Sequence, residues 1–301
     1  MAAAALSKLT KLAIGTSAPA TVYIKSGSAN HGVKESVYNA SDEVALGTLT
    51  RYAALTRVNK VAVTPSFEAV PSVAEWRALL PWVMNLAESG AGTSGDPYVY
   101  ALGTTALTRV IAMHTTQTFF QMSGCAVDSA TFSAQSGGPL KLAVECVGTT
   151  YTNTGSFPAL TPDLNPPLIF PDSAITIGGT SSVYARDFQL RIAHSIDRER
   201  FLNSLTLPLA VNLQRQITIQ LMLPWGQHYQ LWSAGAGDAG VAVTIAFTKG
   251  ADILTFTMPA VRTPRNPMEY RVPEDIMVQW SGECLSDGTA NNELSLELEV
   301  A

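Results

Sequence analysis

Apolar and polar residues alternate along most of the chain with the two-residue period of half-buried β-strands. The run 187–192 places Phe, Leu and Ile on one face and Asp, Gln and Arg on the other, and the run 216–223 sets Ile and Leu against Gln and Thr. Two strand pairs resemble hairpins, 124–148 around a Gly-Gly turn and 276–300 around a Ser/Gly-rich break. The pattern predicts a mainly β protein.

One segment has helical spacing instead. Apolar residues recur every three or four positions across 73–83, and Ser72 and Glu75 have the spacing of a capping box, in which each side chain bonds the other's backbone amide. Pro81 lies inside this stretch and predicts a bend or step. The fold class is therefore mainly β with a flanking helix (α+β).

The order of the elements suggests two halves. We expect an N-terminal arm over 1–35, a first β unit over 36–150, a proline-rich connector over 151–180 and a second β unit over 181–301. The segment WGQHYQLWSAG, 225–235, takes the place of the helix in the second half. The order fits a duplication within the chain, although any α+β chain with many strands can be divided in this way.

Composition narrows the function classes. Charged residues make up 14% of the 301 residues and the net charge is −5, which argues against tight nucleic-acid binding because that affinity comes from Lys and Arg. A surface of neutral polar groups suits a subunit buried in an assembly. The three cysteines have no paired or metal-binding spacing, the N-terminus lacks signal-peptide order, and no apolar stretch is long enough to span a bilayer. We therefore expect free thiols and a protein kept in a cytoplasm.

Catalytic motifs are weak. Residues 90–95 match GxGxxG, but they follow a helix instead of opening one, so we interpret them as a loop and not a nucleotide site. The charged cluster 197–200 follows a strand and is interpreted as a surface or intersubunit patch. The scattered histidines have no partner at ligand or triad spacing: His31, His114, His194 and His228. We expect no enzyme, metal or cofactor.

A set of polar positions on the strands has two interpretations. It comprises Glu293, Glu297, Glu299, Gln189, Thr218 and Gln220. The simpler interpretation is the solvated side of a sheet. The more specific one is a lumen-facing surface of a wide channel, whose acidic groups would repel a passing polyanion.

Several stretches carry a resemblance to a known family: HGVKESVYNASDEVALGTLTR (31–51), the helix segment 67–84, the hairpin 124–148, ITIGGTSSVYARDFQLRIAH (175–194), and ITIQLML with LTFTMPAV. In these the chain resembles the tail tube proteins of long-tailed bacteriophages, over most of residues 30–300. These stretches are sequence patterns and contain no catalytic signature.

The resemblance implies two packed antiparallel sheets flanked by a helix, with subunits forming a ring-shaped β-barrel. Rings would stack into a virion tail tube, assembled in the host cytoplasm, that passes double-stranded DNA without specific binding. Residues 1–35 and about 36–60 would bridge rings, and acidic faces would meet the lumen. Partners would be further copies, as three duplicated or six single subunits per ring, and the tape measure, terminator and baseplate proteins.

Two other functions stay open. A tail terminator, hub or related ring protein would form one ring and not polymerise. A carbohydrate-binding β-protein or an enzyme would need a cluster of titrating groups that the sequence does not display.

Overall fold

A computed structural model describes residues 11–39, 56–115, 118–179, 184–196, 215–224, 240–263, 277–288 and 292–300. It contains one α-helix, α1 (Val73–Met84), one short 3-10 helix (Phe170–Asp172) and eighteen strands within these ranges. The strands are β1 (Lys11–Gly15), β2 (Val22–Ile24), β3 (Ser26–Asn30), β4 (Val33–Asn39), β5 (Thr56–Val63), β6 (Ser66–Ala69), β7 (Tyr98–Tyr100), β8 (Thr108–His114), β9 (Phe119–Gln135), β10 (Lys141–Val147), β11 (Thr150–Thr152), β12 (Ser173–Ile177), β13 (Asp187–Ala193), β14 (Gln216–Pro224), β15 (Val241–Lys249), β16 (Asp252–Arg262), β17 (Met277–Leu285) and β18 (Ser295–Glu299).

Helix α1 begins and ends as its sequence dictates. The Ser72 hydroxyl accepts from the Glu75 amide at 3.4 Å and the Glu75 carboxylate accepts from the Ser72 amide at 2.8 Å, which confirms the predicted capping box. The helix runs through Pro81, and Asn85 closes it in the left-handed conformation with φ of 59°. Its tryptophans, Trp76 and Trp82, are fully buried.

Sixteen strands form one hydrogen-bonded antiparallel sheet, which confirms the mainly β, α+β class. Its main path runs β12-β15-β16-β17-β14-β13-β9-β10-β6-β3. Strands β8 and β11 pair with the first part of β9, β1 joins β8 to β2, and β18 joins β16 to β7. The chain does not close a barrel by itself within the described residues.

The large sheet folds back so that two layers pack face to face. Phe188 of β13 lies 6.0 Å from Phe247 of β15, and Phe132 of β9 lies 5.2 Å from Phe256 of β16, between ring centroids. Trp76 of α1 stacks on Phe132 from the same side. One layer is the run β3-β6-β10-β9-β13-β14-β17, and the other is β12-β15-β16-β18-β7 with α1 beside it. The apolar core lies between them.

Residues 11–30, expected in a loose N-terminal arm, are instead strands of this sheet. Strand β1 pairs along its whole length with β8, and Leu12, Ile14 and Ile24 are at most 1% exposed. The sequence here is rich in Ala, Ser and Gly and has no sustained period, so its strand character comes from pairing with β8 and β6, far along the chain. Residues 1–10 lie outside the described residues.

The prediction that 276–300 forms a hairpin is wrong, because its two strands do not pair with each other, although the prediction of which side chains are buried on β18 is confirmed. Strand β17 pairs with β14 and with the end of β16, whereas β18 pairs with β16 and β7. Leu296 and Leu298 are nevertheless buried, as the alternation indicates. By contrast, β9 and β10 form the predicted hairpin, and Gly137 adopts φ of 77° in its turn.

The proline-rich stretch 153–169 crosses the surface without strands and is held by two lysines. Lys25 donates to the Asn165 carbonyl at 2.9 Å and Lys249 donates to the Pro166 carbonyl at 2.8 Å. At its ends, β11 pairs with β9 and β12 pairs with β15, so both ends of the predicted connector belong to the sheet.

Strands β4 and β5 form a separate two-stranded sheet that pairs with no other described strand. The expected inter-ring segment 36–60 lies partly in this sheet, and residues 40–55 lie outside the described residues. The segment 225–235, expected to replace the helix, also lies outside them.

Candidate functional site

The candidate site is the outer face of the layer β3-β6-β10-β9-β13-β14-β17, which we call the polar face. Strand β13 shows the alternation most clearly: Phe188, Leu190 and Ile192 are at most 1% exposed and point to the core, whereas Gln189 and Arg191 point outward. The same alternation holds in β14 and β10. A broad, continuous polar surface therefore covers an apolar layer.

The strand register arranges the outward residues in rows across the layer. One row comprises Lys141, Ser133, Gln189, Gln220 and Ser281. The next comprises Ser28, Glu68, Ala143, Thr131, Arg191, Thr218 and Glu283. Each row crosses at least five strands, so neighbours on it come from residues far apart in sequence.

Most side chains on these rows are short or uncharged, and several bond one another. The Lys141 ammonium lies 2.9 Å from a Glu68 carboxylate oxygen, and the Gln279 amide donates to the Gln220 carbonyl oxygen at 2.9 Å. Four carboxylates point outward on the layer, Glu68, Glu145, Asp187 and Glu283, against two cations on its strands, Lys141 and Arg191, and a third cation, Arg262 at the adjoining end of β16, lines the same surface. The polar face is therefore mainly neutral with a small acidic excess.

The structure divides the six predicted lumen-facing residues. Gln189, Thr218 and Gln220 lie next to one another on the polar face. Glu297 and Glu299 lie on β18, in the other layer, where Leu296 and Leu298 point to the core and the glutamates point away from it. The two groups lie on opposite outer sides of the molecule.

The sixth residue, Glu293, belongs to a third location. Its carboxylate accepts two bonds from one Arg215 guanidinium nitrogen, at 2.9 and 3.0 Å, and Arg215 also donates to the Gly103 carbonyl at 3.1 Å. Both side chains are largely buried, since their exposed fractions are 17% and 27% for Arg215 and Glu293. The pair joins the start of β14 to the approach to β18.

Close to this pair is a polar junction around His194 that the sequence does not reveal. His194 is fully buried, its Nε2 donates to the Val83 carbonyl at 2.9 Å, and its Nδ1 accepts from the Asn85 amide at 3.3 Å. The Asn85 carbonyl oxygen in turn accepts from the Leu107 amide at 3.1 Å. Burial lowers the pKa of His194, and nearby Arg215 adds to that effect. The junction ties the end of α1 to the end of β13.

A comparison with protein families matches residues 2–284 to the family described as phage tail tube protein. The chain belongs to that family. As a tail tube protein it is a structural component of the virion tail, in a family whose members assemble with themselves to form the conduit for DNA. The family is structural and not enzymatic. No curated protein matches the chain.

The motifs set aside on sequence grounds have structural roles in this tail tube protein. The GxGxxG segment is a loop after α1, as predicted, and the amides of Ala91, Gly92 and Thr93 all donate to the Asp96 carbonyl. His31 stacks on Phe120 at 4.1 Å between ring centroids. His228 and the cluster 197–200 lie outside the described residues.

The cysteines are free thiols, as predicted, and all three are buried. Burial raises the pKa of Cys125 and of Cys284 to about 12, so both stay protonated at neutral pH. Within the described residues there is no group of His, Cys, Asp and Glu that could hold a metal ion. None of the described helices is long and apolar enough to cross a membrane.

Proposed function

We propose that the polar face lines the channel of a ring built from copies of this chain, and that stacked rings form the tail tube. The observation that carries the proposal is the seven-strand layer itself, which is apolar on its inner side and covered on its outer side by mainly neutral side chains. Such a surface offers a passing polyanion few cations to bind, and its small acidic excess weakly repels phosphate.

Ring closure would use the two edges of this layer, where pairing between the described strands is incomplete. Strand β3 pairs on one side with β6 and, among the described strands, has no partner on the other. At the opposite end, β17 is paired with β14, but only Glu283–Leu285 also pair with β16. Unpaired strand edges invite pairing with another chain. Pairing β3 of one copy with Met277–Gly282 of β17 of the next, where β14 is the only partner among the described strands, would close the layer into a ring-shaped barrel.

Gln189, Thr218 and Gln220 would face the lumen in this arrangement, while Glu297 and Glu299 would lie on the outside of the ring. If the two halves of the chain are duplicated units, three copies complete a ring, and otherwise six are needed. The proposed partners are further copies, the tape measure, terminator and baseplate proteins of the tail, and double-stranded DNA passing without specific binding.

Electron microscopy of the purified chain over a range of concentrations tests the proposal. Rings or tubes with an open channel are expected, and their symmetry decides between three and six copies. Single rings that never stack would favour a terminator or hub. A chain that stays monomeric at every concentration would contradict the proposal.

Thiol labelling identifies the lumen face. In assembled tubes, a Gln189→Cys variant should resist a bulky polymer-linked maleimide that reacts readily with a Glu297→Cys variant, and both should react after dissociation. The buried native cysteines keep the background low. Equal labelling of both variants in tubes would show that the polar face is not enclosed.

A further inference from the structure

A second surface of the molecule is a groove of about 530 Å³ between α1 and the hairpin formed by β1 and β2. One wall is the side of α1 that carries Ala74, Ala78 and Pro81. The facing wall includes Ile14 of β1 and Val22 of β2, which lie opposite each other in the hairpin. The other lining residues come from the loop after α1 and the start of β8, so the groove lies apart from the polar face. Its volume is within the range of small-molecule sites, about 300–1,000 Å³.

Three charged residues line this groove, and two of them neutralise each other. Two guanidinium nitrogens of Arg77 donate to the Glu88 carboxylate, at 2.8 and 3.2 Å, and the guanidinium carbon lies 4.1 Å from the Tyr98 ring centre. The Glu88 carboxylate also accepts from the Tyr100 hydroxyl at 3.3 Å. Glu88 is therefore already engaged by Arg77 and Tyr100.

Arg109 is the third charged residue, and its guanidinium forms no ion pair or hydrogen bond with another residue in the described part of the chain. The side chain is half-buried in the groove wall. Burial lowers the pKa of the guanidinium, and no described acidic group counteracts that effect. The groove therefore carries one positive charge that the described residues leave uncompensated.

Arg109 lies at one end of the groove. The Leu107 amide donates at 3.1 Å to the side chain of Asn85, the residue that ends α1, so the start of β8 lies beside the C-terminal end of the helix. Ala74 lies in the first turn of α1, about 10 Å from Pro81 along the helix axis at 1.5 Å per residue. The uncompensated charge is therefore at one end, and small apolar side chains extend away from it along α1.

This combination defines the chemistry of a ligand. A cation held partly out of water without a partner is unfavourable, and a bound carboxylate would offset that cost. The planar guanidinium of Arg109 presents parallel N–H donors that match the two oxygens of a carboxylate. A single uncompensated charge suits a monoanion, and apolar walls disfavour a ligand that is polar along its whole length.

We propose that this groove binds a small amphiphilic carboxylate, a free monoanion with an unbranched acyl chain. The carboxylate would pair with Arg109, and the acyl chain would lie along α1 towards Ala74. The site is built from one chain, so the inference does not depend on ring formation.

Isothermal titration calorimetry with decanoate tests the site. We expect saturable binding of one decanoate per chain, and Arg109→Gln should weaken it about tenfold or more because the charged pair is lost. Decyltrimethylammonium, which has the same chain length and the opposite charge, should bind at least about tenfold more weakly than decanoate to the wild type. The matched control is Arg186→Gln, at an exposed arginine before β13, which should keep the decanoate affinity within about twofold of the wild type.

A second variant locates the acyl chain. Ala74 is exposed on the groove wall, so Ala74→Phe should narrow the groove and weaken decanoate binding while Arg109 stays in place. Circular dichroism and thermal unfolding verify that each variant folds. Arg109→Lys keeps the charge but loses the paired donors, so it should bind with intermediate affinity and gives the readout should Arg109→Gln misfold.

Absence of saturable decanoate binding up to about 1 mM would overturn the inference. So would equal decanoate affinity in the folded Arg109→Gln variant, or equal affinity of the wild type for decyltrimethylammonium. A short apolar peptide with a free C-terminal carboxylate should bind more weakly than decanoate, because its backbone amides would meet apolar walls. The reverse order would assign the groove to a protein partner and overturn the inference. All of these results leave the proposed function intact.

Discussion

Replacing Leu296 by aspartate should unfold the protein, whereas replacing the adjacent Glu297 by glutamine should not. Leu296 is fully buried on β18, with Phe256 of β16 on one side and Tyr100 of β7 on the other. Glu297 points out of the same strand and forms no bond with a described side chain. Substituting Leu296 and then Glu297, which are adjacent on β18, therefore compares a core-facing position with an outward-facing position on the same strand.

The magnitude follows from burial. Truncating a core leucine to alanine costs about 2–5 kcal/mol, and leaving a carboxyl group in its place without a partner adds several kcal/mol, in the range of about 2–7. Together these amount to about 4–12 kcal/mol, which is comparable with the whole free energy of unfolding of many proteins, about 5–15 kcal/mol. Glu297→Gln should change that free energy by no more than about 0.5 kcal/mol.

Urea denaturation followed by tryptophan fluorescence and circular dichroism measures both effects, with Leu296→Ala as an intermediate. The expected order of stability is wild type and Glu297→Gln, then Leu296→Ala, with Leu296→Asp unfolded without urea. A cooperative transition for Leu296→Asp near the wild-type midpoint would show that β18 faces the other way. So would a loss for Glu297→Gln larger than that for Leu296→Ala.

Three further predictions concern the junction and the turns. The pKa of His194 in the folded state lies below the ordinary value of 6.5, so the unfolded chain binds the extra proton more readily, and the free energy of unfolding should fall as the pH drops below about 6.5. Urea midpoints measured between about pH 8 and 5 should show this slope, and the His194→Gln variant should show a flatter one. Arg215→Ala should cost about 1–3 kcal/mol by chemical denaturation, since it leaves Glu293 half-buried and unpaired, and an equal loss for an exposed arginine would contradict this reasoning. Gly32→Ala should destabilise more than Gly137→Ala in thermal unfolding, because both have positive φ but only at Gly32 would the added methyl group collide with the backbone of Thr64.

Local signals in the sequence predict local structure well in this chain. The capping box at Ser72 and Glu75 gives the first turn of α1, and the glycines at 137–138 give the β9–β10 hairpin. In each case the residues that decide the structure are close in sequence, so their pattern is sufficient.

Long-range pairing is the part that the sequence does not reveal. The alternation of β18 predicts which side chains are buried, but it does not indicate that β18 pairs with β7 instead of β17. The His194 junction joins residues more than a hundred positions apart, and no motif connects them. For the same reason five of the six predicted lumen residues could be identified as outward-facing but not assigned to one layer or the other, and the pairing of the sixth, Glu293, with Arg215 could not be predicted.

The seam between β9 and β13 has a consequence for how the protein can be divided. The two strands pair over seven residues, Asp187–Ala193 with Ser129–Gln135, and they belong to different halves of the chain. Fragments produced by cleavage near residue 180 would each expose a bare ladder of backbone amides and carbonyls along this seam. The halves are therefore expected to unfold as one cooperative unit, and separately expressed fragments to be insoluble unless they are made together and complement each other.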